Sequence, residues 1–140
     1  MIRFPRACYD DIVRQAYRGG AEEICGLLGG TFGEDESVVS SVHQASNAAD
    51  IPEVRYYIDP EEQLAHTERI EERGESVVGF YHSHPAGPPA PSETDRSRAT
   101  WPDRSYVIVA LDGYPYLGSW RWRADRSAFE SELVALDQGD

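Results

Sequence analysis

The sequence predicts an α/β fold of mixed type: one domain over residues 1–140, with a central mixed β-sheet flanked by helices. Three observations carry that expectation. Two segments, 5–17 and 60–73, repeat apolar residues at helical spacing between recognisable start and stop signals. Short apolar runs at 23–32, 37–45, 75–81 and 105–111 have strand length and end in glycine or polar turns. A chain of 140 residues with 40% hydrophobic and 11% aromatic content can bury a core of its own.

Taken in order, residues 5–17 place Pro5 at a helix start, repeat Cys8, Ile12, Val13, Ala16 and Tyr17 on one stripe, and stop at Gly19-Gly20. Residues 23–32 form a nearly continuous apolar run with glycines, as in a buried strand. An acidic turn at 33–36 leads to a second strand, 37–45, through Val38, Val39 and Val42. Arg55-Tyr56-Tyr57-Ile58 reads as a brief third strand. Asp59-Pro60-Glu61-Glu62 then starts a helix: Asp caps, Pro takes the first position, and the acids face the positive end of the dipole. That helix passes Leu64, Ala65, Thr67 and Ile70 and stops at Gly74. Residues 75–81 and 105–111 are apolar strands, and Asp112-Gly113 turns toward another at 114–122, where Trp120 to Arg123 alternate with period two. Residues 129–136 fit a last strand or a short helix equally well. There are no internal repeats and no interdomain linkers.

The net charge of −12 works against nucleic-acid binding, which needs a basic surface, and favours a basic protein partner or peptide. All 13 basic residues are Arg. Genome composition accounts for this, and so does a salt-adapted cytoplasm. No apolar run reaches the length of a membrane span, and Met1 to Pro5 lacks the apolar core of a secretory signal, so a cytoplasmic location is expected. Cys8 and Cys25 make neither a CxxC pair nor a disulfide framework. Cys25 sits in an apolar run with nothing to activate its thiol, which favours a buried structural role over a nucleophile.

The most informative stretch is His82-Ser83-His84-Pro85, followed by Ser92-Glu93-Thr94-Asp95. Two His at i and i+2 on a strand point to one face and can share a metal ion. With Asp95 they make an N, N, O set that leaves a position open, as in catalytic zinc sites; iron, cobalt and manganese accept the same donors. Ser92 and Asp95 also fit the S/T-x-x-acid pattern of a capped helix start, which would fix Asp95 rigidly. The Ser92 hydroxyl either caps only or also donates to an oxyanion. Glu22 and Glu23, at the edge of the first apolar strand, are both available as a general base, and spacing does not choose between them.

His82-Ser83-His84, seven residues, Ser92, two residues and Asp95 together resemble the H-x-H-x7-S-x2-D signature of the JAMM/MPN+ metallopeptidases. Glu23-Ile24-Cys25-Gly26 resembles that family's glutamate-bearing strand, and the flanking 77–81 and 105–110 segments are also similar. The resemblance implies a cytidine-deaminase-like sheet and helices, with one Zn²⁺ held by His82, His84 and Asp95. It implies Glu23, not Glu22, as the base that takes a proton during attack on the carbonyl and passes it to the leaving amine. Ser92 would help stabilise the tetrahedral intermediate, while Ser83, facing away, would be structural. Family members cut after the C-terminal tail of ubiquitin or ubiquitin-like proteins. Only residues 85–91 separate the ligands from the helix here, leaving little room for an insertion like those of eukaryotic deubiquitinases. The expectation is therefore a small prokaryotic type acting on a ubiquitin-like sulfur-carrier protein or its C-terminal adduct. A non-catalytic scaffold and a small-molecule amidohydrolase are the alternatives.

Overall fold

The computed structural model describes residues 1–112 and 115–137. Its strands are β1 (Ile2–Pro5), β2 (Cys25–Thr31), β3 (Ser37–Ala45), β4 (Ser76–His84), β5 (Ser105–Ala110), β6 (Tyr116–Arg123), β7 (Ala128–Glu132) and β8 (Val134–Asp137). They form one mixed sheet in the order β7-β6-β5-β4-β2-β3-β1-β8. Helices α1 (Arg6–Gly19), α2 (Pro60–Glu72) and α3 (Glu93–Arg98) complete the mixed α/β architecture.

The sheet separates two apolar layers. One joins Ile12 and Ala16 of α1 to Ile2, Phe4, Leu28, Val78, Tyr81 and Val107. The other joins Ile70 of α2 to Cys25, Leu27, Phe80, Tyr106 and Trp122. A register shift between Leu28 and Gly29, opposite Val78, resets the alternation of β4. Phe80, His82 and His84 then share the α2 face, while Tyr81 and Ser83 face α1.

The two outermost strands, β7 and β8, are separated by Leu133 alone, so the sheet curls until its edges nearly meet. Buried Arg121 spans that closure. It donates to Glu132 at 2.8 Å, to the carbonyls of Gly33, Asp103 and Met1, and to Ser37 Oγ. Glu132 also accepts from Ser105 Oγ and Ser119 Oγ at 2.7 Å each.

Most expected elements are present. Helix α1 starts one residue later than expected, because Pro5 has extended geometry (φ −61°, ψ 142°) and ends β1. In α2 the Asp59 side chain accepts from the Glu61 N–H at 2.9 Å, as its cap pattern predicts, and Gly74 ends the turn with φ +78°. Residues 55–58 are not a strand. Their backbone is satisfied by the Asn47 loop: Tyr57 N–H donates to Asn47 Oδ1 at 3.1 Å, and Tyr57 O accepts from Ala48 N–H at 2.8 Å. Residues 129–136 resolve into strands, parts of β7 and β8. The expected turn at Asp112-Gly113 and the start of the next strand at Tyr114 lie partly outside the described residues.

Candidate metal and catalytic site

The site forms where the C-terminal end of β4 meets the N-terminal end of β2. Antiparallel register pairs Cys25 with His82, which brings Glu23, two residues earlier, level with His84. Ser83 clamps this junction, accepting the Ile24 N–H at 2.9 Å on its hydroxyl while its own N–H donates to Ile24 O at 3.0 Å. Gly26 is required one step along. A Cβ there would run into the Tyr81 hydroxyl and the His43 carbonyl.

Three side-chain atoms converge. His82 Nε2 and His84 Nε2 are 3.1 Å apart, and each lies 3.2 Å from Asp95 Oδ2. A tetrahedral ion with bonds of about 2.0–2.1 Å separates its ligands by roughly 3.3 Å, close to this triangle. His84 Nδ1 lies 2.8 Å from Pro88 O, which can only accept, so Nδ1 carries the hydrogen and Nε2 presents its lone pair inward. Two imidazole nitrogens and a carboxylate oxygen so close together repel one another unless a cation or proton lies between them. The donor set therefore fits a metal ion.

Asp95 is held by the predicted capping box: Ser92 Oγ accepts the Asp95 N–H at 3.0 Å, and Asp95 Oδ2 accepts the Ser92 N–H at 2.8 Å. Burial alone would raise its carboxyl, but the two adjacent imidazoles and the hydrogen bond from the Ser92 N–H hold it well below the usual carboxylate range. His82 is buried, which lowers its pKa against the pull of Asp95; His84 feels burial too, but Asp95 and Pro88 O raise it. The Ser92 hydroxyl, half-buried and used as an acceptor, retains its own hydrogen to donate.

Glu23 is 5% exposed and its Oε1 is buried with no hydrogen-bond partner. Burial pushes its carboxyl up to about 7, suiting a group that takes up and gives back a proton near neutrality. Its carboxylate and the His82 and His84 nitrogens lie within 4.8 Å of one another, a His/His/Glu cluster able to hold a metal ion. Glu22 is exposed and is not part of that cluster. Burial pushes the Cys25 thiol up to about 12, which keeps it protonated and inert.

Two residues escape a sequence reading. The Tyr56 ring stacks on His82, with centroids 4.4 Å apart and planes at 27°. Asn47 donates through Nδ2 to Glu23 O at 2.9 Å and Arg55 O at 3.1 Å, and its Oδ1 accepts from Ala49 and Tyr57. Asn47 thereby ties the backbone of Glu23 to the segment carrying Tyr56. The only sequence sign is an Asn in a polar loop, which many turns share.

Residues 5–125 match the family model for prokaryotic homologs of the JAB domain. The chain belongs to that family. It is 44% identical over 115 residues to the desampylase of Haloferax volcanii, covering 79% of this chain and 81% of that protein. It is 36% identical over 99 residues to the CysO-cysteine peptidase of Mycobacterium tuberculosis, covering 71% of this chain and 66% of that one. A solution structure of a Desulfitobacterium hafniense protein superimposes with a TM-score of 0.87 at 30% identity, covering 99% of this chain and 94% of that one. Among the described residues, no helix of this JAB chain is long and apolar enough to cross a membrane.

Proposed function

We propose that the chain is a cytoplasmic zinc-dependent metallopeptidase. It hydrolyses a peptide or isopeptide bond after the C-terminal tail of a ubiquitin-like sulfur-carrier protein. The triangle of His82, His84 and Asp95 atoms beside the unpartnered Glu23 carboxylate carries this reading. The names of the relatives, a desampylase and a CysO-cysteine peptidase, support the substrate class.

His82, His84 and Asp95 would hold one Zn²⁺, which when bound supplies Lewis acidity to the scissile carbonyl and acidifies a water. Glu23 takes a proton from the attacking water and delivers it to the departing nitrogen, so one buried carboxylate serves both half-steps. Ser92 donates its hydroxyl hydrogen to the oxygen on which negative charge develops. Asp95 stays ionised beside the two imidazoles and the Ser92 N–H that donates to it. Tyr56 and the β4 backbone exclude water from one side of His82, and Asn47 fixes the peptide of Glu23. The net reaction adds water across one amide, giving a carrier carboxylate and a free amine.

Incubation with a ubiquitin-like carrier bearing a C-terminal extension, with and without chelator, tests this. Cleavage that chelator abolishes and zinc restores is expected; cleavage insensitive to chelator contradicts the mechanism.

A further inference from the structure

Beside the site lies a cavity of about 350 Å³ lined by Tyr56, Tyr57, Phe80, Trp101 and Tyr106, with Arg98 as its one charged residue. Its place relative to the reacting atoms follows from two elements. Phe80 precedes His82 by two residues on the same face of β4, a step of roughly 7 Å at strand rise. Tyr56 is the cavity wall that stacks on His82. A residue adjoining the cleaved bond reaches the cavity without a spacer.

The walls are fixed in advance. The Tyr106 hydroxyl accepts from the Thr100 and Trp101 N–H groups at 3.3 Å each, and Phe80 stacks on Tyr106 with centroids 5.5 Å apart. Arg98 follows Asp95 by one turn of α3, donates through Nη1 to Tyr56 O at 3.1 Å, and lies 6.0 Å over the Tyr57 ring. One of its five N–H donors is thereby used. In a chain of net charge −12, Arg98 has no carboxylate partner among the described residues. The cleft that includes Glu23 is lined by Glu22 and Glu62 and would repel an anion. Of these two clefts, the one with Arg98 is therefore the one that suits an anionic group.

We propose that this cavity is the subsite for the residue released on the amine side of the cut, and that Arg98 binds that residue's free α-carboxylate. The proposal rests on the peptidase reading above and narrows it. The preferred substrate is a carrier whose C-terminal glycine is joined to a single amino acid with an apolar or aromatic side chain. A lysine isopeptide, whose α-carboxylate is locked in a protein chain, leaves the guanidinium unmatched. Hydrolysis adds hydroxide to the glycyl carbon and a proton to the departing amine, freeing the amino acid as its zwitterion.

The test uses two ubiquitin-fold carriers, ubiquitin and CysO, each extended by one phenylalanine as the free acid or as the carboxamide. Wild type should favour the free acid by about tenfold or more in kcat/KM, the size of a charge-assisted bond. R98Q should lose that preference, its ratio of acid to carboxamide cleavage falling to about one, and R98K should restore part of it. Equal cleavage of acid and amide by wild type overturns the subsite while leaving the peptidase reading intact. Failure to cleave any of the four substrates overturns both. Zinc content and melting temperature of R98Q equal to wild type separate loss of recognition from damage to neighbouring Asp95.

Discussion

Ser83 and Ile24 are joined twice: the Ile24 N–H donates to Ser83 Oγ at 2.9 Å and the Ser83 N–H donates to Ile24 O at 3.0 Å. Ser83 lies between the two histidines and Ile24 directly follows Glu23, so this pair sets the spacing between Glu23 and the histidines, the proposed base and metal ligands. Replacing Ser83 by Ala strands a buried N–H and should destabilise the fold by about 1–3 kcal/mol in urea unfolding. Turnover should fall more than zinc affinity does, because the proposed ligands keep their own supports while Glu23 keeps only its backbone bonds to Asn47 and Pro52. A variant with unchanged stability and unchanged kcat would show that the clamp has no such role.

Asn47 also holds the backbone of Glu23, the proposed base. N47A removes bonds to Glu23 O, Arg55 O, Ala49 N and Tyr57 N. Its kcat is expected to drop roughly tenfold or more with zinc content near wild type, since misplacement of a base costs rate steeply. Equal loss of zinc and rate would assign Asn47 to folding alone.

For Ser92 the cap and the chemistry separate by substitution. S92A removes the N-cap, costing about 1 kcal/mol, and also the proposed oxyanion donor, costing on the order of 10²–10³ in kcat. S92D keeps a capping oxygen but has no hydrogen to donate. Stability recovered without activity in S92D is the expected outcome; activity recovered with stability would mean that Ser92 only caps.

The Arg121–Glu132 pair predicts a pH dependence of stability. Burial alone would raise the Glu132 carboxyl, but bonds from Ser105, Ser119 and Arg121 outweigh it and lower the folded value. A carboxyl lowered on folding stabilises the protein above its unfolded pKa, near 4.3, and that contribution disappears as pH falls through the folded value. Stability measured by denaturant should therefore decline below about pH 5, and more shallowly in E132Q. At neutral pH, E132Q leaves Arg121 buried without its carboxylate and should cost about 3–5 kcal/mol; the double change R121M/E132L should recover most of this. If E132Q is as stable as wild type, the closure does not depend on the pair.

How much of this was legible in the sequence depends on how local each signal is. The Asp59-Pro60 cap, the Ser92–Asp95 box and the alternation that puts His82 and His84 on one face are local rules, and the structure follows them. The strand reading of 55–58 failed because Asn47, eight residues upstream of Arg55, satisfies that backbone with a side chain. Four-residue β1 went unread because only its pairing with β3 and β8 makes it a strand. The Arg121–Glu132 closure joins residues whose alternation pattern gave no hint of a buried ion pair. In the site, residue types named the ligand candidates, whereas Tyr56, Asn47 and Arg98 gain meaning only through tertiary placement.

The central claim is that Glu23 moves protons beside an ion held by His82, His84 and Asp95. It is tested most directly by measuring zinc content and cleavage of a C-terminally extended carrier together, for wild type and E23Q. The expected result is one zinc per chain in both proteins, with turnover in E23Q reduced by about 10²–10⁴. Zinc-free wild type that still cleaves, or E23Q with full turnover, would contradict the account.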